Sequence, residues 1–313
     1  MQLGVPHKNQ DYDIAKNYFM YVGGFNMGDL LSGLDSLGLG NLEDMNLFDK
    51  TQDGAKDGNP EKNVKPKITE EDFLFDKGYK CPICDNDISA KTVKVGKAKL
   101  IGTDLDLRPK YRGVDPLKYD VVACPHCGYA ALTRYFQYMT DGQFKAVKAK
   151  ICANFKPQSN DQRAVYTYDE ALERYKLALA NAIVKQTKAS EKAYICLKTG
   201  WLLRSKGESL NKDDADYAQQ YAANEKEERS FLQNAMEGFI NARQTESFPM
   251  CGMDESTVDY LIAVLATEFE KYDIASKLIG NLITSKTTNP RMKEKSRDLK
   301  DIVLKKMKEK GLV

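Results

Sequence analysis

The chain has 313 residues, and 47 Lys and Arg residues nearly balance 45 Asp and Glu residues to give a formal net charge of +2. This balance argues against a strongly basic nucleic-acid-binding protein, although a local basic patch remains compatible with it. No apolar run approaches the ~20 residues that span a bilayer, and the start lacks a signal-peptide pattern. We therefore expect a cytoplasmic protein without membrane association, built from two domains or three small units.

Residues 1–68 are predicted to be a flexible N-terminal segment, because glycine-rich and acidic stretches alternate there. Inside it, residues 27–48 carry leucines near helical spacing, interrupted by glycines. Two interpretations stay open for this stretch: a short docking helix, or a tail that folds back on its own chain. Met27 is also an alternative start of the chain.

Residues 69–130 are predicted to form a small β-rich metal module, because they contain two Cys-Pro-x-Cys motifs. The first motif holds Cys81 and Cys84, and the second holds Cys124 and Cys127. Each motif places two thiolates on one tight turn, and two such turns supply the four tetrahedral ligands that a structural Zn²⁺ prefers. In a reducing cytoplasm, such pairs indicate metal ligands rather than disulfides.

Four thiolate ligands leave no open coordination position, so the sequence predicts a structural zinc site rather than a catalytic one. His126 lies between two ligands and is expected to point away from the ion. A rubredoxin-like iron site for electron transfer has similar ligand turns and is the alternative. Of the other cysteines, Cys152 and Cys196 are expected to be small buried hydrophobes in helices, and Cys251 is expected to lie in a loop without assigned chemistry.

The segment between the two motifs mixes β-branched residues with lysines, which predicts exposed β structure over residues 91–101. The loop that follows, residues 102–118, is expected to project from the module. It contains Asp104 and Asp106, a carboxylate pair suited to acid–base catalysis or to cation binding. The alternative, which we favour, is a solvated loop or an ion pair with Arg108.

The same segment supports a second function, because its basic residues are numerous enough to line one face for RNA or DNA. Binding of this kind weakens steeply with added salt. The basic residues are Lys91, Lys94, Lys97, Lys99, Arg108, Lys110 and Arg112.

Residues 131–313 are predicted to form a helical domain. Charge and alanine content indicate amphipathic helices packed in pairs, beginning directly after the second motif at Ala130. The stretch Asn211–Asn224 is interpreted as an insertion. The predicted helices are residues 130–150 (one or two helices), 166–185, 190–206, 225–243, 256–269, 273–284 and 291–310.

Small and aromatic residues recur on one face of several of these helices, as in the second helix of a tetratricopeptide repeat. The clearest case is Tyr168-x-x-Ala171-x-x-x-Tyr175-x-x-Ala178. A second copy of the pattern contains Ala235 and a weaker third copy contains Ala275, at intervals that depart from the usual period. An irregular helical bundle, in which the alanines only serve packing, is the alternative.

The stretch from Tyr79 to Cys84 and the run from Pro116 through Tyr-Asp-Val-x-x-Cys-Pro-x-Cys-Gly-Tyr-Ala to Ala131 resemble a family of uncharacterised bacterial proteins, catalogued as a domain of unknown function. The resemblance implies a four-cysteine zinc module followed by tetratricopeptide-like helices, with the four motif cysteines as metal ligands. It implies no activity.

Together these patterns predict an α+β, mostly α fold: a zinc-ribbon-like module followed by a tetratricopeptide-like helical array. We expect a non-enzymatic scaffold or adaptor that binds a protein or peptide through the helical array. RNA binding through the basic face is the alternative, and an enzyme using Asp104 and Asp106 is a third class. The sequence contains no dinucleotide fingerprint, phosphate loop or zinc-protease helix, so no small-molecule substrate is evident.

Overall fold

The computed structural model describes residues 68–157 and 163–312. Nearly all of the predicted flexible N-terminal segment, including the candidate docking helix at residues 27–48, lies outside the described residues.

The metal module consists of short antiparallel hairpins, each a separate two-stranded sheet. In the first and third hairpins, the paired residues Lys80 and Asp87, and Ala123 and Ala130, directly flank the two cysteine motifs. Each cysteine motif is therefore the turn of a hairpin. The strands are Leu74–Lys80 (β1) with Asp87–Val93 (β2), Lys99–Thr103 (β3) with Pro109–Arg112 (β4), and Val121–Ala123 (β5) with Ala130–Leu132 (β6).

The helix predicted to begin at Ala130 is wrong for its first residues, which form β6. Ala130, Ala131 and Leu132 are all buried and pair with β5. Alanine favours a helix in isolation, but strand pairing and burial outweigh this weak local preference. Within the described residues, the first α-helix begins at Asp141.

The rest of the described chain is helical, and the structure is α+β, mostly α, as predicted. Most observed helices begin and end within a few residues of the predicted ones. The exceptions are the first helix, which starts at Asp141, and the fourth helix, which starts at Tyr217 inside the stretch interpreted as an insertion. The helices are Asp141–Val147 (α1, followed by a π-helical turn at Lys148–Cys152), Tyr168–Val184 (α2), Ala189–Ser209 (α3), Tyr217–Thr245 (α4), Glu255–Glu268 (α5), Tyr272–Thr284 (α6) and Pro290–Glu309 (α7).

From α2 to α7, each helix packs against the next one in the chain. Helices α3 and α4 lie so close together at Gly200 that a Cβ atom there would be 2.5 Å from Cδ2 of Leu232. The alanines that the sequence pattern singled out, Ala171, Ala235 and Ala275, are fully buried. These contacts agree with paired helices, and the tetratricopeptide-like repeat itself stays a prediction.

The described residues form one compact unit. Strands β5 and β6 pack against α2, so Val121 and Leu132 belong to the same apolar core as the helices. The hydroxyl of Tyr175 in α2 donates a hydrogen bond to the carbonyl oxygen of Leu117 at 3.1 Å. The second cysteine hairpin is thus seated directly on the helical array. Among the described helices, none has both the length and the apolar character needed to cross a bilayer.

Candidate metal centre

The four motif cysteines converge at one point. Their Sγ atoms all lie within 4.8 Å of one another, and the Cys81–Cys127 and Cys84–Cys124 Sγ pairs are each 3.6 Å apart. All four are free thiols. Ligands at tetrahedral corners, about 2.3 Å from a metal ion, lie about 3.8 Å from one another. The observed spacing therefore fits one tetrahedrally coordinated ion.

The two turns that present these sulfurs have the same backbone hydrogen bonds. In the first, Asp85 N–H donates to the Cys81 carbonyl at 3.0 Å, and Cys81 N–H donates to Asn86 at 3.0 Å. In the second, Gly128 N–H donates to the Cys124 carbonyl at 3.1 Å, and Cys124 N–H donates to Tyr129 at 2.8 Å. The two hairpin tips are therefore equivalent halves of one site.

The residue after the second cysteine adopts a positive φ in both turns: 58° at Asp85 and 73° at Gly128. Of these two residues, only Gly128 is of a type that favours this conformation without steric cost. A Cβ atom on Gly128 would also lie 2.4 Å from Cδ2 of Phe155. Glycine is required there for both backbone conformation and space, whereas aspartate tolerates the left-handed region better than most residues.

The cluster is largely shielded from solvent. Cys81, Cys124 and Cys127 are buried, and only Cys84 is partly exposed. Its Sγ accepts a hydrogen bond from Asn86 Nδ2 at 3.3 Å. Four converging sulfurs with this burial close the coordination sphere, so the arrangement suits a structural ion rather than one that binds substrate.

The thiols strongly perturb one another. Hydrogen bonds from Cys127 and Cys81 lower the pKa of Cys124, whereas the interaction with Cys124 raises the pKa of both Cys81 and Cys127. One thiol therefore ionises readily and suppresses ionisation of its neighbours. Since the thiolate is the ligand form, a cation at the centre is what favours full deprotonation of the set.

Aromatic side chains and one helix hold the second turn in place. Tyr129 is fully buried, and its hydroxyl donates to the Phe136 carbonyl at 2.9 Å. The two rings pack with centroids 5.1 Å apart. From α2, Asn181 Nδ2 donates to the Gly128 carbonyl at 3.0 Å. Through this bond, the helical array directly supports the turn that carries Cys124 and Cys127.

The family described as "Uncharacterized protein conserved in bacteria" (DUF2225) matches residues 74–303, which include all four cysteines and nearly all of the helical array. The chain belongs to this family. No curated protein and no solved structure matches it. The resemblance expected from the cysteine motifs is therefore confirmed, and the DUF2225 description assigns no activity.

The other residues singled out in this DUF2225 member lie around or away from the cluster. His126 is exposed. Cys152 is partly buried and packs against the apolar surround of the four cysteines. Cys196 is buried in α3, as expected. Cys251 lies in the turn before α5, where its Sγ donates to the Ser190 carbonyl at 3.4 Å, and burial raises the pKa of its thiol.

The acidic pair lies in the turn between β3 and β4. The prediction that this loop projects from the module is wrong for this turn, which packs against α3. Arg108 Nε donates to Asp104 at 2.6 Å, so the predicted ion pair is present. Asp106 is only 3% exposed and accepts hydrogen bonds from Trp201 Nε1 and Arg204 Nη1, each at 2.9 Å. Trp201 and Arg204 belong to α3, far along the sequence, and no local pattern indicated this docking.

The basic face predicted for nucleic acid is partly neutralised. Arg108 is buried among acidic groups. Lys110 pairs with Asp104 at 2.8 Å, and Lys91 pairs with Asp76 at 2.9 Å. The remaining basic residues lie before or at the start of β3 and at the end of β4. They are Lys94, Lys97, Lys99 and Arg112.

Proposed function

We propose that this DUF2225 member is a non-enzymatic cytoplasmic scaffold or adaptor, in which a structural Zn²⁺ links two hairpin tips. Cys81, Cys84, Cys124 and Cys127 would hold the ion, which supplies cross-linking rather than reactivity. The convergence of four mostly buried sulfurs, in two equivalent turns, carries the proposal. Zinc is preferred over iron because such four-sulfur sites are its usual structural form, and red visible absorption of the pure protein would instead identify iron.

The partner of this scaffold is proposed to be a protein, and strand β3 offers the most suitable surface. Within the described residues, β3 pairs only with β4, so its outer edge has unpaired backbone groups. Every residue of β3 is exposed, including Leu100 at 57% and Ile101 at 59%. An exposed apolar edge of this kind is a template for an added strand.

Charge defines the chemistry of that added strand. Lys97, Lys99 and Arg112 line a cavity of 430 Å³ next to β3, together with Ile68, Asp72 and Phe73. Three cations outnumber the one carboxylate, which already accepts a hydrogen bond from Thr69 N–H at 2.8 Å. We call Lys97, Lys99, Leu100, Ile101 and Arg112 the β3 edge. Its complement is an extended peptide that alternates acidic and apolar side chains. Leu100 and Ile101 are aliphatic and offer no stacking surface for bases, which favours a protein over RNA as the occupant.

The helical array is proposed as the larger part of the scaffold and as a second protein-binding surface. Large exposed apolar residues on its described helices are Ile183, Tyr221 and Leu304, on three different helices. Because the β3 edge has two such residues in consecutive positions of one exposed strand, we assign the principal contact to it.

Affinity capture from the native cytoplasm tests this assignment, with protein and RNA both quantified. The bait variant carries Leu100→Glu and Ile101→Glu, and the matched control carries Leu312→Glu, an apolar residue after α7 that is 58% exposed. The proposal predicts a protein partner that the wild type and the control retain and the β3 variant loses. Equal capture by all three baits would contradict it. Capture that nuclease treatment abolishes would support the RNA-binding alternative instead.

A further inference from the structure

A cavity of 780 Å³ lies away from the cysteine cluster, where three segments of the chain meet. One wall follows the second cysteine hairpin and includes residues 134–143. The second wall is the turn from α2 into α3, residues 185–191. The third is the loop between α4 and α5, residues 246–252. Its volume lies within the range of small-molecule binding sites.

Lys185 lines this cavity and is only 5% exposed. Its ammonium group lies 5.6 Å from the centre of the Tyr129 ring. Among the described residues, no carboxylate lies within ion-pair distance of this ammonium, and it donates no hydrogen bond. Burial accordingly lowers the pKa of Lys185. Glu191 lines the same cavity and acts to raise this pKa, but it forms no ion pair with Lys185 and burial outweighs it. A buried cation without a paired anion is costly, so this arrangement indicates a position for an external negative group.

The N-terminus of α3 reaches the same cavity. This 21-residue helix starts at Ala189, and the preceding Lys188 provides no side-chain cap. Glu246 partly takes that role, since its carboxylate accepts from Ser190 N–H at 3.0 Å and from the Ser190 hydroxyl. A helix N-terminus carries partial positive charge. The N-terminus of α3 therefore attracts an anion to the cavity, as the Lys185 ammonium does.

The remaining charges of the cavity do not cancel this positive potential. Arg134 and Lys188 add two cations on the wall, and the Arg134 guanidinium donates to the Cys251 carbonyl. The acidic groups are Glu246, whose oxygens already accept from Ser190, and Glu191. Burial raises the pKa of Glu191, although Lys185 and Lys192 act to lower it. The lining therefore favours an anionic ligand.

We propose that this cavity binds a small organic oxyanion, a phosphate or carboxylate that Lys185 and the N-terminus of α3 hold. The organic body of the ligand packs against the side chains of Tyr135 and Tyr138, which line the same cavity. This binding site goes beyond the scaffold role and does not depend on it.

Titration calorimetry on the full-length, metal-loaded protein tests the proposal with phenyl phosphate, benzoate and inorganic phosphate as probes. The variant is Lys185→Met, and the matched control is Lys277→Met, an exposed lysine on α6. We expect phenyl phosphate or benzoate to bind the wild type and the control equally. Binding to Lys185→Met should weaken at least about tenfold, because a charge-assisted hydrogen bond is lost.

A second measurement separates binding from structure. Lys185→Met removes a buried unpaired charge, so its melting temperature should rise above that of the wild type while its affinity falls. A lysine that served only packing against Tyr129 would instead give a lower melting temperature and unchanged affinity, which would overturn the proposal. Absence of binding by all three probes at millimolar concentration would also overturn it. Inorganic phosphate binding as tightly as phenyl phosphate would overturn the role assigned to Tyr135 and Tyr138.

Discussion

Asp85 and Gly128 occupy the same place in the two cysteine turns, yet only one of them is a glycine. Both residues have positive φ, at 58° and 73°. A glycine directly after the last cysteine of a motif indicates this conformation at Gly128, because glycine adopts positive φ without steric cost. Asp85 carries no such signal, and its conformation follows from the equivalence of the two turns in space. The clustering of the four cysteines was predictable because the two motifs carry it in their local spacing.

This equivalence predicts opposite responses to substitution. Gly128→Ala should destabilise the protein by about 1–3 kcal/mol, because alanine is strained at this φ and its Cβ would meet the Phe155 ring. Asp85→Gly should be neutral or stabilising by less than about 1 kcal/mol, because it relieves backbone strain. Urea unfolding of both variants measures the two effects. Equal destabilisation by both would show that the two turns are not equivalent.

At the scale of elements, the turn between β3 and β4 is fixed to α3 by buried ionic groups. Asp106 is 3% exposed and contacts Trp201 and Arg204. Arg108, 2% exposed, reaches Ser205 and Glu208 on the same helix. Sequence alone presents this turn as a polar loop, because the partners that bury it belong to a helix far along the chain.

Loss of one partner should be costly here. Asp106→Ala should destabilise the protein by about 1–3 kcal/mol, because it leaves the buried Trp201 N–H without an acceptor. It also removes one of the carboxylates that pair with Arg204, whose Nε still donates to Glu228 at 2.7 Å. The matched control is Asp76→Ala, which removes an exposed ion pair with Lys91 and should change stability by less than about 1 kcal/mol. Chemical denaturation compares them. Similar small changes in both variants would mean that the turn does not dock on α3 in solution.

The same turn predicts a pH dependence of stability. Burial acts to raise the pKa of Asp104, but hydrogen bonds from Lys110 and Arg108 outweigh it and lower the pKa below its ordinary value. The resulting stabilisation is complete above the unfolded-state pKa of about 3.9 and is lost as pH falls through the lower folded-state value. The stability of Asp104→Asn should therefore vary less than that of the wild type below about pH 4. Parallel stability–pH curves would contradict this assignment.

Other elements show where local sequence reasoning succeeds and where it fails. The helices from α5 to α7 were predictable because apolar periodicity lies within each helix, and the capping residues Asp254 and Asn289 mark the starts of α5 and α7. The start of α4 was not, because its first turns are polar and exposed. They gain an anchor from Asn224, whose Nδ2 donates to the Leu203 carbonyl at 2.7 Å. Strand β6 was missed because its pairing with β5 is a tertiary contact.

At the scale of the whole molecule, the second cysteine hairpin and the helices share one apolar core. Leu117, Val121 and Leu132 belong to the same buried cluster as Tyr175 and Leu202. The sequence suggested a module followed by a helical domain, because composition changes near residue 130. It contained no signal that the two parts pack together, since residues widely separated in the chain form their contact.

This shared core predicts that metal removal affects the helices as well. Treatment with a chelator should lower the temperature of a single cooperative unfolding transition, because loss of the second turn also removes support from α2. Calorimetry and the helical circular dichroism signal should report coincident transitions before and after treatment. An early transition that leaves the helical signal unchanged would contradict the coupling of module and array.

The metal content of freshly isolated protein tests the central claim most directly. Elemental analysis should find about one zinc ion per chain in the wild type and in Cys196→Ser, whose cysteine is buried in α3 away from the cluster. Cys127→Ser should lose most of the metal, because one of the four ligands is missing. A wild-type protein without a stoichiometric transition metal would contradict the account.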